Sequence, residues 1–194
     1  MIMQIILGSH SPRRKEILGY FNLPFKVAVS SFPEETIPFE GNAKEYASKL
    51  SESKANVLYP IYPEAVIITA DTVVFREGKI YDKPKNHTEA FKALSELVGQ
   101  WHSVYTSVTV RKEMKVYTDV EETRVLFNPL TPEQIKVYQS KIHCWDKAGG
   151  YAIQGAGSLI VQKIDGCYYN VMGLPINTLQ KLLLKVEIDL WRHL

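Results

Sequence analysis

Apolar and polar positions along this chain repeat with two different periods, and each change of period marks an element. The apolar run of residues 1–7, clearest at 4–7, predicts a first strand. Gly8-Ser9-His10 then forms a turn, and Ser11 caps a helix with Pro12 at its first position, reaching about Gly19. Residues 25–29 predict a short strand. Asn42 caps a second helix over about 43–58, with an apolar stripe of Tyr46, Ala47, Leu50, Val57 and Leu58. Residues 65–75 form an apolar strand, and Glu77-Gly78 turns it into a hairpin with 79–81. Thr88 and Glu89 open a third helix carrying Phe91, Leu94, Leu97 and Val98, with Gly99 at its left-handed end. Residues 104–110 and 115–127 read as paired strands, and Thr131-Pro132-Glu133-Gln134 has capping-box spacing for a short helix. A glycine-rich stretch at 149–157 leads into a strand at 159–164. The chain closes with a helix whose stripe is Ile176, Leu179, Leu182, Leu183, Val186 and Leu190. With no repeat or low-complexity linker, the pattern predicts one mixed α/β (α+β) domain over residues 1–194.

Composition narrows the function classes. With 45% hydrophobic residues and two cysteines, the chain can build a core without disulfides, which excludes disorder and a disulfide scaffold. Its 23 Lys and Arg against 21 Asp and Glu give a net charge of +2, too small for a protein that coats nucleic acid. No run approaches the roughly 18 apolar residues of a membrane span, and the first residues lack the basic region of a secretory signal. Cys144 and Cys167 form no CxxC pair, so a reducing cytoplasm with both thiols free is expected.

Four constellations carry candidate chemistry. In Gly8-Ser9-His10-Ser11-Pro12-Arg13-Arg14, a strand hands over to a helix N-terminus, so N–H groups, hydroxyls and two guanidiniums converge where an anion fits; a well-capped helix with a solvated basic turn is the plain alternative. Asp71 interrupts the apolar run 65–75, where an unpaired carboxylate would cost several kcal/mol. It needs a metal, a cation or several N–H donors, an environment suited to a general base or a metal ligand. Lys54 falls four positions after Leu50, inside the apolar stripe of its helix, so it either snorkels or points at a buried anion. Lys83 follows the hairpin in Tyr81-Asp82-Lys83-Pro84. Glu34-Glu35 offers hard oxygens that could hold Mg²⁺ or Mn²⁺ against a triphosphate, or is a surface acidic pair. Gln154 lies in the glycine-rich stretch, and its amide presents an acceptor and a donor that match the edge of uracil or thymine. The histidines show no zinc-ligand spacing.

Read together, Ile6-Leu7-Gly8-Ser9-His10-Ser11-Pro12-Arg13-Arg14-Lys15-Glu16-Ile17-Leu18, Ala70-Asp71-Thr72-Val73-Val74, Lys83-Pro84 and Gly99-Gln100-Trp101-His102-Ser103-Val104-Tyr105-Thr106 resemble the Maf family of nucleotide pyrophosphatases. Asp146-Lys147-Ala148-Gly149-Gly150-Tyr151-Ala152-Ile153-Gln154-Gly155 and Asn170-Val171-Met172-Gly173-Leu174-Pro175 extend the resemblance over almost the whole chain. It implies an inosine-triphosphatase-like (Maf/Ham1) fold: an elongated, twisted mixed sheet flanked by helices, with a cleft between two lobes, commonly as a homodimer. It also implies metal-dependent hydrolysis of a nucleoside triphosphate to monophosphate and pyrophosphate, with Mg²⁺ or Mn²⁺. Asp71 matches the family's catalytic acidic position. Ser9, Arg14, Lys54 and Lys83 match its phosphate surroundings, and Glu35, with Asp71, its metal surroundings. Arg13, Thr72 and Gln154 match the positions that mark the branch acting on dTTP and UTP; the 7-methyl-GTP branch carries an aromatic residue, Gln and Glu there. The resemblance also admits a house-cleaning pyrophosphatase for modified nucleotides, or a non-enzymatic nucleotide-binding regulator of cell division and septum formation. The expected partner is a small nucleotide, with neither stable nucleic acid nor membrane.

Overall fold

A computed structural model describes residues 4–142, 145 and 147–194. The start of the first expected strand (residues 1–3), His143, Asp146 and the thiol of Cys144 lie outside the described residues.

Among these residues seven strands form one mixed sheet, in the order β2-β1-β3-β5-β6-β7 with β4 paired to β3. The strands are β1 (Ile5–Gly8), β2 (Lys26–Val27), β3 (Val66–Arg76), β4 (Lys79–Tyr81), β5 (Trp101–Lys112), β6 (Lys115–Phe127) and β7 (Val161–Asp165). β1 lies parallel to β2 and β3, and the remaining pairs are antiparallel. Six helices flank the sheet: α1 (Pro12–Leu18), α2 (Ala43–Leu58), α3 (His87–Leu97), α4 (Pro132–Lys141), α5 (Tyr168–Met172) and α6 (Ile176–Leu184).

β3 organises the core because its side chains alternate between two packed faces. Val66, Ile68 and Ala70 pack with Ile17, Leu18, Leu179, Leu182 and Leu183 of α1 and α6. Ile67 packs with Ala55 and Leu58, and Val73 with Ala43 and Ala47, all on α2. Each fully buried Leu contributes about 1.5–3 kcal/mol. One edge of β3 pairs continuously with β5 from Val66 to Phe75. The other edge pairs with β1 only as far as Thr69, and β4 takes it up again at Val74. Residues 70–73 therefore lie between two partners on that edge, and the candidate site is built there.

The local signals placed most elements, with some corrections. The buried stripe of α2 is Ala43, Ala47, Leu50, Ser51, Ala55 and Leu58, whereas Tyr46 and Val57 are half-buried. Small side chains let this helix lie close to the sheet, and the Ser51 hydroxyl is satisfied by Ser107 at 2.7 Å and Thr109 at 2.8 Å. α3 starts at His87, because the Asn86 side chain accepts from the Glu89 N–H and caps it. The early strand is two residues long, and β5 starts three residues earlier than the pattern predicts, at Trp101. Residues 155–160 form a 3₁₀ turn, so β7 begins at Val161. The closing helix ends at Leu184, and Val186 and Leu190 are buried from the turns that follow. α5, which no apolar period announces, ends at Gly173 in the left-handed region (φ 105°).

Among these core elements β5 carries a buried histidine. His102 is 3% exposed, its Nε2 lies 2.9 Å from the Tyr151 hydroxyl, and burial lowers its pKa to about 4. Between the ordinary value near 6.5 and that point, the unfolded chain binds a proton that the folded chain refuses, so stability falls as the pH drops through this window. The full effect is on the order of 3 kcal/mol. Denaturation curves from pH 7 to pH 4 should show it, and His102→Gln should flatten that part of the profile.

Candidate active site

The first wall of the site is the β1–α1 turn. Ser11 caps α1 by accepting from the Arg14 N–H at 3.4 Å, and Pro12 opens the helix. Ser9 is 8% exposed, and its hydroxyl oxygen accepts from the Ser11 N–H at 3.1 Å and from Arg14 Nη1 at 3.3 Å. Its own proton is left for a ligand. Arg14 turns back from the helix into the sheet. Its Nε donates to the Gly173 carbonyl at 2.7 Å, Nη1 to the Ala70 carbonyl at 2.8 Å, and Nη2 to the Thr72 hydroxyl at 3.0 Å. With the Ser9 bond, four of the five guanidinium N–H groups are held by the protein. Among the described residues one guanidinium N–H is therefore left for the anion expected at this turn. Burial lowers the Arg14 pKa and the nearby Asp71 opposes that shift, so the group stays charged.

The second wall joins α2 to β3. The parity that turns Ile67 and Val73 toward α2 also turns Asp71 toward it, and Lys54 reaches across from the helix. The Lys54 ammonium donates to Asp71 Oδ1 and, at 2.9 Å, to Glu34 Oε1. The lysine side chain is 12% exposed and the aspartate side chain 10% exposed, so this is a buried pair with one half-exposed neighbour. Glu34 sits in a 3₁₀ turn, Glu34–Thr36, that follows Pro33. Burial pushes its pKa up, but Lys54, Lys83 and Arg14 together pull it below the ordinary value.

Asp82, beside Lys83, goes the other way. Burial raises its pKa first, and the charges of Asp71 and Glu34 raise it further. An acid whose folded pKa is raised destabilises the folded state at neutral pH and is relieved on protonation. Asp82→Asn should therefore raise the Tm measured at pH 7.5 without added metal, and the gain should shrink as the pH approaches the carboxyl range. An unchanged or lower Tm at pH 7.5 would mean the like-charge repulsion is unimportant.

These walls enclose a cavity of about 600 Å³, within the range of roughly 300–1,000 Å³ typical of small-molecule sites. Ser9, Arg13, Arg14, Glu35, Lys54, Asp71, Thr72, Lys83 and Gln154 all line it, as do Glu34, Asp82 and Lys147. Leu50, Val73, Tyr151, Ile153 and Met172 supply an apolar side. Gln154 stands at the start of the 155–160 turn. Just before it, Gly149 adopts φ 71° and donates its N–H to the Asp82 carbonyl at 3.3 Å, tying the glycine-rich stretch to the end of β4. Among the described residues no three His, Cys, Asp or Glu side chains are grouped as a ready metal cage. The donor set is nevertheless chemically suited to a hard divalent ion, since the acidic groups facing the cavity are all carboxylates. Mg²⁺ takes only one or two of these and completes its shell with water and phosphate oxygens.

Sequence reasoning named no role for Asp82, Lys147, Tyr151 or the Gly173 carbonyl. The local signal for Asp82 is its place as the other charge in Asp82-Lys83 at a strand exit. Nothing local marks Gly173, whose carbonyl reaches Arg14 across 159 positions.

The profile of a family described as "Maf-like protein" matches residues 4–186. A dTTP/UTP pyrophosphatase from Chlamydia felis (strain Fe/C-56) is 46% identical over 192 residues, covering 98% of each chain. One of the same name from Clostridium perfringens (strain 13 / Type A) is 44% identical over 97% of this chain and 100% of that one. A nucleoside triphosphate pyrophosphatase from Chlamydia muridarum (strain MoPn / Nigg) is 40% identical over 98% of each. Among solved structures, the Staphylococcus aureus Ham1 protein aligns over 98% of this chain and 93% of that one at 12% identity and a TM-score of 0.44, too loose a likeness to place the fold.

Proposed function

Since the chain belongs to the Maf family, we propose that it hydrolyses dTTP and UTP to the nucleoside monophosphate and pyrophosphate. The observation that carries this reading is the buried Lys54–Asp71 pair facing a cavity that Arg13, Arg14 and Lys83 also line. A desolvated carboxylate that the Lys54 ammonium keeps ionised is available to accept a proton from water, and the cations around it suit a polyanionic guest.

In this mechanism Asp71 takes a proton from a water molecule, whose oxygen attacks the α-phosphorus. The bond from that phosphorus to the bridging oxygen breaks, and pyrophosphate leaves with the bond electrons. Lys54, Lys83, the free N–H of Arg14 and the Ser9 hydroxyl meet the oxygens on which charge accumulates, so much of the acceleration is electrostatic and positional. Asp71 and Glu35 would hold a divalent cation, Mg²⁺ or Mn²⁺, which supplies Lewis-acid neutralisation of the phosphates when bound. Glu34 is committed to Lys54 and steadies that ammonium. Arg13, Thr72 and Gln154 set nucleotide preference. Family membership also supports an inosine-triphosphatase-like arrangement with a two-lobed cleft, a homodimer and a cytoplasmic setting.

Pyrophosphate release from a panel of natural and modified triphosphates, with Mg²⁺ and with Mn²⁺, tests this reading. Turnover led by dTTP and UTP is expected. Preference for modified pyrimidines would make the enzyme a house-cleaning pyrophosphatase, and binding without release from any nucleotide would point to a regulator.

Base recognition has its own test. Gln154→Glu removes the amide donor that pairs with O4 of uracil or thymine, so kcat/KM for UTP should fall about tenfold or more, the worth of one hydrogen bond left unmade. Hydrolysis of a triphosphate without a base should change little. Equal losses on both substrates would remove Gln154 from base readout.

A further inference from the structure

Behind the cavity runs a closed ring of hydrogen bonds that starts and ends at Arg14. Arg14 Nη2 donates to the Thr72 hydroxyl at 3.0 Å, Thr72 Oγ1 lies 2.9 Å from Thr106 Oγ1, and Thr106 donates to the Asn170 carbonyl at 2.8 Å. Three residues further on, the Gly173 carbonyl accepts from Arg14 Nε at 2.7 Å and closes the ring.

The proton directions follow from chemistry. A carbonyl can only accept, so the single proton of Thr106 goes to Asn170, and Thr106 must then accept from Thr72. The one proton of Thr72 is thereby spent inside the protein, and its oxygen receives Arg14. Although Thr72 lines the cavity, it has no proton to offer a ligand while the ring is intact. Its influence on the ligand passes through the guanidinium.

The far side of the ring is rigid. Thr106 and Asn170 are both 0% exposed. The Asn170 side-chain amide donates to the Val104 carbonyl and to the Thr123 hydroxyl, each at 2.9 Å, which anchors α5 to β5 and β6. The β3–β5 register places Thr72 directly opposite Thr106. A Cβ on Gly173 would stand 3.3 Å from the Thr72 hydroxyl and 3.4 Å from Arg14 Nε, so the ring closes without slack.

We propose that Thr106 and Asn170 are positioning residues for phosphate recognition: acting through Thr72 and Gly173, they fix the plane of the Arg14 guanidinium so that its one uncommitted N–H faces the bound nucleotide. This rests on the nucleotide reading given under "Proposed function". It adds that a residue marking substrate preference, Thr72, acts by orienting an arginine and makes no donor contact of its own.

The test uses the full chain with Thr106→Val, which deletes the hydroxyl at nearly constant volume, and Thr106→Ser, which keeps it. The readouts are the Kd of α,β-imido-UTP with Mg²⁺ by calorimetry, kcat and KM for pyrophosphate release from UTP, and the Tm. Thr106→Val should raise Kd about tenfold, as expected for one mis-set charged hydrogen bond, and should lower kcat/KM by about tenfold or more, because the same N–H of Arg14 also meets the charge that builds during the reaction. Thr106→Ser should stay close to wild type. Thr72→Val should reproduce the rise, and the double variant should be no worse than Thr72→Val alone, since both break one chain of bonds.

A Thr106→Val protein with lowered Tm but unchanged Kd and kcat/KM would make the residue merely structural and overturn the proposal. So would equal impairment by Val and Ser, or additive effects in the double variant. If Thr106→Val does not fold, an unchanged Kd in Thr72→Val overturns it alone. Wild-type protein that binds the analogue but releases no pyrophosphate removes the enzymatic reading and leaves the Kd comparison decisive for the ring.

Discussion

Asp71→Asn should abolish turnover while leaving the protein folded and able to bind nucleotide. The substitution keeps the shape of the side chain and removes its basic oxygen. General-base catalysis contributes about 10²–10⁴-fold, so pyrophosphate release from dTTP or UTP should fall about a thousandfold. The Tm should move little, because Lys54 keeps its second partner, Glu34, at 2.9 Å. Binding of a non-hydrolysable triphosphate should persist through Ser9, Arg14, Lys54 and Lys83, while its dependence on Mg²⁺ should weaken, because one of the two proposed metal ligands is lost. Pyrophosphate release at the wild-type rate would take Asp71 out of the chemistry.

Lys54→Met should damage both stability and activity. Deleting one member of a buried ion pair strands the other, at about 3–5 kcal/mol. Because the Glu34 end is half-exposed, a value near the lower end, about 3 kcal/mol, is expected. For a chain of this size that is on the order of 10 °C in Tm. Methionine fills the space of the lysine stem, so lost packing contributes little. Turnover should drop about a hundredfold, in line with removal of one electrostatic contact to the transferring group. The double variant Lys54→Met/Asp71→Asn should recover part of the lost Tm, because no unpaired carboxylate then remains at position 71. Thermal unfolding of the four proteins gives the coupling directly, and a double variant less stable than Lys54→Met alone would contradict this account of the pair.

The parts of this structure legible in the sequence are those governed by neighbours along the chain. Ser11, Asn42 and Thr131 cap their helices because the cap bond spans only three residues. Glu77-Gly78 turns the hairpin because both residues take positive φ, 48° and 81°. Asp71 is a charge inside an apolar strand and Lys54 a charge inside an apolar stripe, so each points to an unseen partner. That they partner each other depends on which face of β3 meets α2, and this is decided by packing.

Other features had no local signature. The true buried face of α2 includes Ser51, whose polarity hides it from a hydrophobic pattern; its two side-chain partners lie on β5. α5 is five residues long, too short for a helical period to declare itself. Thr72 and Thr106 meet only through the strand register, 34 positions apart. Arg14 reads as open to an anion because the Ala70 and Gly173 carbonyls and the Thr72 hydroxyl, which take three of its five N–H groups, come from remote segments.

The interval between Thr69 and Val74, where β3 lacks a neighbour on one side, has a mechanical consequence. The proposed base is carried on a strand whose opposite side is fastened without interruption to β5, so its backbone has little freedom to drift. The groups facing it arrive from α1, α2, the Glu34–Thr36 turn and the segment after β4, and Arg14 and Lys54 are bonded back onto β3 itself through Ala70, Thr72 and Asp71. Such a design uses one strand as the common anchor for the reacting centre and for the cations around it, so that a displacement of β3 would carry both together.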